Sequence, residues 1–245
     1  MMGQNPHDAG ITVAAVLRQF PFMRIISLKS RADRRERVNR QFAALGIDMA
    51  QHGLRYFDAI RFDGAGDFPT IGARGCFESH LLVLEDCARL NQPALVLEDD
   101  IKFEMDRWAA LPSLPGLIAS QSWDMLYFGY GNAIPGTEQP LRPWYGPVMT
   151  THAYAVKPEA ARRIVSYLQA CKRRPPGDPV GGPMHVDGAF TMFRAQNPDF
   201  RTLVAAPQLI TQFSSRSDLG TEKWWDRSRL LQPFIERLRR ARSGV

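Results

Sequence analysis

The chain has 245 residues, 44% of them hydrophobic, enough for one sizeable core, and its formal net charge of +6 with a pI near 9.5 favours anionic partners. No run approaches the roughly 18 apolar residues that span a bilayer. Cys76, Cys87 and Cys171, odd in number and without a CxxC pair, suggest neither a disulfide framework nor a zinc cluster, and are expected as reduced, partly buried thiols.

Residues 1–22 are poorly patterned and read as a loose N-terminal extension or short helix; residues 11–22, interrupted by Arg18, lack a signal-peptide pattern, so a cytoplasmic protein is expected. Residues 23–28 read as the first strand. Residues 34–45 follow as a helix with Val38, Phe42 and Leu45 on one stripe and Gly46 closing it. A short strand at 54–59 leads into a Gly- and Asp-rich loop ending at Pro69, and the next helix is expected from about 74 to 90, with Leu81, Leu84 and Ala88 inward.

Residues 94–97 read as a central parallel strand, because Asn91-Gln92-Pro93 is a breaker and the apolar run is strand-length. Residues 108–117 read as a loop or short helix, 123–129 as another buried strand, and 131–146 as a Pro- and Gly-rich excursion. A strand at 151–156, a helix at 158–170 opened by Pro158, a helix at 186–193 and a strand-like piece at 205–213 complete the pattern. With no internal repeats, this alternation predicts a mixed α/β sheet.

The run Ala94-Leu95-Val96-Leu97-Glu98-Asp99-Asp100 carries the first chemical signal. Ligands of open α/β sheets bind beyond the carboxyl ends of the strands, and adjacent carboxylates repel unless a cation neutralises them. Oxygen-only ligands suit Mg²⁺ or Mn²⁺ shared with substrate phosphates; a solvated acidic turn is the bland alternative. Residues 28–35 join the first strand to the first helix, where Arg31, Arg34 and Arg35 could meet a diphosphate or uracil, or simply form a basic helical turn. Gly72-Ala73-Arg74-Gly75-Cys76-Phe77-Glu78-Ser79-His80 pairs two glycines with a Ser-His step, which suggests close backbone approach to a ligand; His80 reads either as a substrate contact or as a structural residue.

Taken together, Ile25-Ile26-Ser27-Leu28 with Arg34-Arg35, Phe57-Asp58-Ala59-Ile60-Arg61-Phe62-Asp63-Gly64, Gly75-Cys76-Phe77-Glu78-Ser79-His80 and Leu95-Val96-Leu97-Glu98-Asp99-Asp100 resemble glycosyltransferase family 25. That family includes lipopolysaccharide and lipooligosaccharide galactosyltransferases and collagen galactosyltransferase domains. Thr151-His152-Ala153-Tyr154-Ala155-Val156-Lys157-Pro158, Pro207-Gln208 and Ser217-Asp218 match more loosely. Ser27 is a departure, since the family is expected to carry Asn there, and a shorter side chain weakens recognition at the donor edge.

The resemblance implies a GT-A-like single α/β domain, with a mixed, mostly parallel central sheet flanked by helices, over residues 23–220. It implies an inverting, Mn²⁺- or Mg²⁺-dependent transfer of a hexose, galactose first, from a UDP-sugar to a glycan or lipid-linked glycan of the cell envelope. Ser27, Leu28, Arg34, Arg35, Ala59, Gly75, Ser79, His80, Asp99 and His152 are then the donor-binding candidates. The metal candidates are Glu98, Asp100 and Asp218, with His152 and His185 competing for the third contact. Inversion needs a base opposite the leaving group. Asp187, between a Gly/Pro loop and a helix, is the candidate, against the plain alternative of an N-cap Asp. Asp99, pointing away from Glu98 and Asp100, either meets the nucleotide sugar or holds the strand end.

The C-terminal segment 221–245 has apolar residues at helical spacing beside arginines. It either rests peripherally on an anionic membrane at the inner face of the cytoplasmic membrane, as suits a lipid-linked acceptor, or docks on its own domain. The basic residues fall at 31–40, 172–174 and the C-terminus rather than in one stripe, and no RNA-binding signature, zinc-finger spacing or basic zipper occurs, so no nucleic-acid partner is expected. The competing readings are a basic polyanion-binding protein and a nucleotide-sugar-binding pseudoenzyme.

Overall fold

The structure is a computed structural model that describes residues 6–135 and 139–213, all within one compact unit, Met1–Ser214. Asp218 and the segment 221–245 lie outside the described residues. Among the described residues, no helix is long and apolar enough to cross a membrane.

The elements run α1 (Pro6–Leu17), β1 (Phe22–Ser27), α2 (Ala32–Ala44), β2 (Leu54–Asp58), α3 (Ile71–Leu90), β3 (Ala94–Glu98), β4 (Ile101–Phe103), α4 (Met105–Ala109) and α5 (Leu114–Ser120). They continue through β5 (Met125–Gly129), β6 (Leu141–Pro143), β7 (Ala153–Val156), α6 (Pro158–Arg173), α7 (Val186–Gln196), β8 (Thr202–Ala205) and β9 (Ile210–Gln212). A seven-stranded sheet has the order β2-β1-β3-β7-β5-β8-β6, and β4 pairs with β9 in a separate ribbon. Strands β2, β1, β3, β5 and β8 share one direction, while β7 and β6 oppose it. The expected single α/β unit around a mixed, mostly parallel sheet flanked by helices is what the chain forms.

Strand alternation explains the two layers. Met23 and Ile25 of β1, Leu95 and Leu97 of β3, Leu126 and Phe128 of β5, and Ala153 and Ala155 of β7 pack into one core with α1, α2, α4 and α5. Their neighbours Phe22 and Ile26, Ala94 and Val96, Met125 and Tyr127, and Tyr154 and Val156 pack into the other, with α3, α6 and α7. Both faces are covered, so the central strands read as continuous apolar runs.

Of the two forms expected for residues 1–22, the helix is found, and it is docked rather than loose: Ala9, Val13, Val16 and Leu17 are buried, and α1 packs with α4 and α5. Helix α2 closes as read. Gly46, at φ 69°, donates to the Ala43 carbonyl and Ile47 to that of Phe42, with Phe42 and Ile47 both buried, which is a Schellman closure.

Several expectations need correction. Helix α3 starts three residues before Arg74, because the Thr70 hydroxyl accepts from the Ala73 N–H and caps it. Strand β3 is parallel only to β1; its other neighbour, β7, is antiparallel. The last strand-like piece is two strands in different sheets, β8 and β9, separated by a turn at the cis Ala206-Pro207 bond. The Pro- and Gly-rich excursion contains the edge strand β6, and the acidic run continues at once into β4.

The carboxyl ends of the five co-directional strands, Ser27, Asp58, Glu98, Gly129 and Ala205, define one edge of the sheet. Because β7 runs the other way, its amino end and residues 150–152 reach the same edge. The site is built there.

Candidate functional site

Glu98 ends β3, and among the described residues only Oε1 of its carboxylate is hydrogen-bonded. The Thr151 hydroxyl donates to it at 2.8 Å and His80 Nε2 at 3.3 Å, and Oε2 has no hydrogen bond among the described residues. Burial would raise the Glu98 pKa, but the hydrogen bonds from His80 and then Thr151 outweigh it and the net shift is downward. His80, fully buried on α3, stacks on Tyr154 and lies edge-on to Phe190. With Nε2–H directed at Glu98, Nδ1 accepts from the Tyr154 hydroxyl at 3.0 Å. His80 therefore acts on the site through Glu98 and does not itself reach the surface.

Asp99 and Asp100 form the turn between β3 and β4. Their side chains diverge, as the strand pattern implied. Asp99 is buried and bonded by Arg34 Nη1 at 2.9 Å, so of its two expected roles it takes the one that holds the strand end. Asp100 receives Gln212 Nε2 at 3.2 Å on both oxygens. Its pKa is pushed up to about 7, first by burial and then by the charge of Glu98.

Asp187 completes the acidic group. It lies in the first turn of α7 rather than at the N-cap, which is His185, so the plain capping alternative does not hold. Its Oδ2 accepts the Thr150 N–H at 2.9 Å and its Oδ1 the Gly188 N–H at 2.8 Å. Burial raises its pKa against these bonds and the nearby His185, and the charge of Glu98 adds to the rise. Cys76, one helical turn before His80, is half-buried, and its thiol is pushed well up by burial and then by the negative charges of Glu98, Asp187 and Asp100. The charge of all three carboxylates is thus felt at one thiol near the sheet edge.

The structure places other candidates differently from a ligand surface. His152 is buried, with Nδ1 accepting from the Thr150 hydroxyl at 2.8 Å and Nε2 donating to the Ile210 carbonyl at 3.0 Å, so both nitrogens are used. Burial lowers its pKa, and it is a neutral link between the sheet and β9 rather than a third metal contact. His185 is half-buried near Asp187, and burial lowers its pKa too.

Ser79 donates to the Gly75 carbonyl at 2.7 Å and accepts the Ile60 N–H at 2.9 Å. A Cβ on Gly75 would sit 2.4 Å from the Ile60 carbonyl oxygen, so the close approach read at this glycine is to the segment after β2. Ala59 donates its N–H to the Ser27 carbonyl at 2.9 Å, continuing the β1–β2 pairing past the strand ends.

Arg35 binds the Ser27 carbonyl and hydroxyl and pairs with Asp58, fastening the ends of β1 and β2 together, and Arg31 pairs with Asp33. Arg31, Arg34 and Arg35 therefore all have carboxylate partners inside the fold. Leu28 accepts the Arg31 N–H in the turn that starts α2. Sequence reasoning missed Thr150, Thr151, Tyr154 and Gln212 as site-building residues; the one available signal was the helical i, i+4 spacing of Cys76 and His80, which puts both on one face.

The oxygen donors present fit a hard divalent cation. The charge of Glu98 is felt at both Asp100 and Asp187, and its Oε2 has no hydrogen bond among the described residues. A second grouping, Cys76, His80 and Glu98, brings one ligand atom from each within 4.8 Å of the others.

Residues 55–114 match the family profile described as Glycosyltransferase family 25 (LPS biosynthesis protein). A glycosyltransferase 25 family member of Anopheles gambiae is 31% identical over 166 residues, covering 58% of this chain and 28% of that protein. Procollagen galactosyltransferase 1-B of Xenopus laevis is 24% identical over 244 residues, covering 82% of this chain and 38% of its own length. The chain thus spans well under half the length of these curated relatives. Among solved structures, UDP-glucose pyrophosphorylase complexed with UDP-glucose superposes with a TM-score of 0.44 at 11% identity, over 94% of this chain and 86% of the other, a likeness too loose to support any conclusion. The matched segment carries the α3 motif and the Glu98-Asp99-Asp100 turn, and over that segment the chain is similar to glycosyltransferase family 25.

Proposed function

We propose that this chain transfers a hexose, galactose in the first instance, from a UDP-sugar to a hydroxyl of a glycan acceptor, with inversion and with Mn²⁺ or Mg²⁺. The observation that carries the reading is the gathering of Glu98, Asp100 and Asp187 at the carboxyl edge of the sheet in a chain similar to this family over residues 55–114. The relatives named for galactose transfer make UDP-galactose the first donor to try. The profile's description makes a lipopolysaccharide-type glycan the first acceptor.

Glu98 and Asp100 would hold the cation, which when bound supplies positive charge against the leaving diphosphate. Asp187 is the proposed base. Each of its oxygens accepts one backbone N–H, and a carboxylate oxygen has two lone pairs, so each keeps one for an acceptor hydroxyl proton. Its raised pKa makes it a stronger proton acceptor than an ordinary aspartate. A cytoplasmic setting, with residues 221–245 touching an anionic membrane surface, belongs to the same proposal.

The test is a panel of UDP-sugars assayed for UDP release and product formation, with Mn²⁺, Mg²⁺ or chelator. Cation-dependent turnover of one donor, lost in Asp187→Asn, supports the reading. Saturable UDP-sugar binding without turnover under every acceptor and cation would replace it with a pseudoenzyme, and no UDP-sugar binding would remove it.

A further inference from the structure

Cys76 and His80 sit one turn apart on the same face of α3, and that face meets the end of β3 at Glu98. Cys76 Sγ, a His80 ring nitrogen and a Glu98 oxygen lie within 4.8 Å of one another. Tetrahedral coordination with bonds of about 2.0–2.1 Å sets two such donors about 3.3 Å apart. His80 Nε2 and Glu98 Oε1 are 3.3 Å apart. The far nitrogen of the same ring faces the Tyr154 hydroxyl at 3.0 Å, the kind of outer partner that orients a ligating imidazole.

This donor set differs in kind from the carboxylates beside it. A thiolate and an imidazole select Zn²⁺ or Cd²⁺ over Mg²⁺, whereas Asp100 and the free oxygen of Glu98 do the reverse. We propose that Cys76, His80 and Glu98 form a thiophilic divalent-cation site, suited to Zn²⁺, that shares Glu98 with the oxygen-donor site and so inhibits it when filled.

On binding, the Cys76 thiol loses its proton to solvent. The imidazole proton leaves Nε2 and is carried on Nδ1, where the Tyr154 hydroxyl oxygen accepts it. The Thr151 hydroxyl, 2.8 Å from Glu98 Oε1 and 3.3 Å from His80 Nε2, turns aside about χ1 to clear the centre. The inhibitory half of the proposal rests on the glycosyltransferase reading; the binding half does not.

The test uses the full chain, stripped with chelator and titrated with Cd²⁺, following the ultraviolet thiolate-to-metal charge-transfer band. The expected result is one saturable equivalent, displaced by Zn²⁺, with the band lost in Cys76→Ser and kept in Cys87→Ser and Cys171→Ser. Cys76→Ala, with its fold checked by circular dichroism, guards against a misfolded serine variant, and His80→Gln should weaken Cd²⁺ binding at least tenfold while leaving a weak band. A band that survives in both folded Cys76 variants, or none in the parent chain, overturns the site. In transfer assays with excess Mn²⁺, Zn²⁺ should inhibit the parent chain at concentrations at least tenfold below those needed for Cys76→Ser. Equal sensitivity would overturn the shared use of Glu98. A chain that binds Cd²⁺ as described yet transfers no sugar keeps the site and removes the function, so the two failures are distinguishable.

Discussion

The Thr150 N–H is bonded to Asp187 Oδ2 at 2.9 Å while Thr150 itself holds a φ of 65°, a left-handed conformation that β-branched residues rarely adopt. The proposed base and a strained backbone position thus hold each other in place, an arrangement that pre-organises an active site. Asp187→Ala leaves the Thr150 and Gly188 N–H groups without their acceptor and is expected to destabilise the fold by about 2 kcal/mol. Asp187→Asn, whose amide oxygen still satisfies one donor, should lose less. Both should reduce sugar transfer at least a hundredfold, within the range general-base catalysis contributes. Urea denaturation and turnover of the two variants check this; a fully stable Asp187→Ala would break the link to Thr150, and an active Asp187→Asn would remove the base.

Asp100 gives the metal-free protein a pH dependence of known sign. Its folded-state pKa, about 7, lies above its ordinary value of 3.8, so the folded state binds the proton more tightly than the unfolded chain. Its contribution to stability is therefore fully present below pH 3.8 and is lost as the pH rises from there to about 7. Glu98 and His152, both shifted downward, act in the opposite sense, which makes the variant comparison essential. In chelator, Asp100→Asn should raise Tm at pH 8 more than at pH 5, and millimolar Mn²⁺ should reduce the difference by neutralising the parent's carboxylates. An equal change in Tm at both pH values would contradict the assignment.

Arg34 and Asp99 form an ion pair whose side chains are only 13% and 8% exposed, where screening by water is weak. Breaking such a pair leaves a buried charge unanswered, at a typical loss of about 3–5 kcal/mol, whereas removing both charges loses much less. Arg34→Met should destabilise the fold by about 3 kcal/mol, and Arg34→Met with Asp99→Asn should recover more than half of it. Additive losses in the double-mutant cycle would show that the pair is not coupled.

The same pair shows where sequence reading runs out. Apolar runs such as 94–97 and 125–128 announce central strands by composition alone, because they are covered on both faces, and the acidic turn that follows the first of them is legible for the same reason. The basic turn after β1 looks like an anion site because only Asp33, which pairs with Arg31, answers its charge from within the turn. The other partners arrive through topology: Asp99 lies 65 residues beyond Arg34, and Asp58 lies 23 beyond Arg35. His152 has the residue type of a ligand, yet one of its nitrogens is taken by a carbonyl 58 residues away. Strands β4 and β6 have three residues each, too few for an alternating pattern to register. Thr150 and Thr151 organise Asp187, His152 and Glu98 through one N–H and two hydroxyls, which composition cannot flag.

Gly75 offers a test of what the α3 motif is for. A glycine beside a ligand and a glycine beside a neighbouring strand both look like close approach in sequence, but they predict different consequences for alanine. Here the added Cβ would lie 2.4 Å from the Ile60 carbonyl oxygen, a backbone atom that cannot swing away as a side chain would. Either α3 or the segment after β2 must shift, and the Ser79 bridge to the Ile60 N–H is stretched with it. Overpacking of this kind typically destabilises by about 1–3 kcal/mol, against less than 1 kcal/mol gained from alanine's better helix propensity. Gly75→Ala should therefore lower the urea midpoint with UDP-sugar absent, and Ser79→Ala should add little on top of it because the bridge is already strained. A Gly75→Ala protein of parental stability that loses only donor affinity would mean that the glycine faces the ligand rather than Ile60.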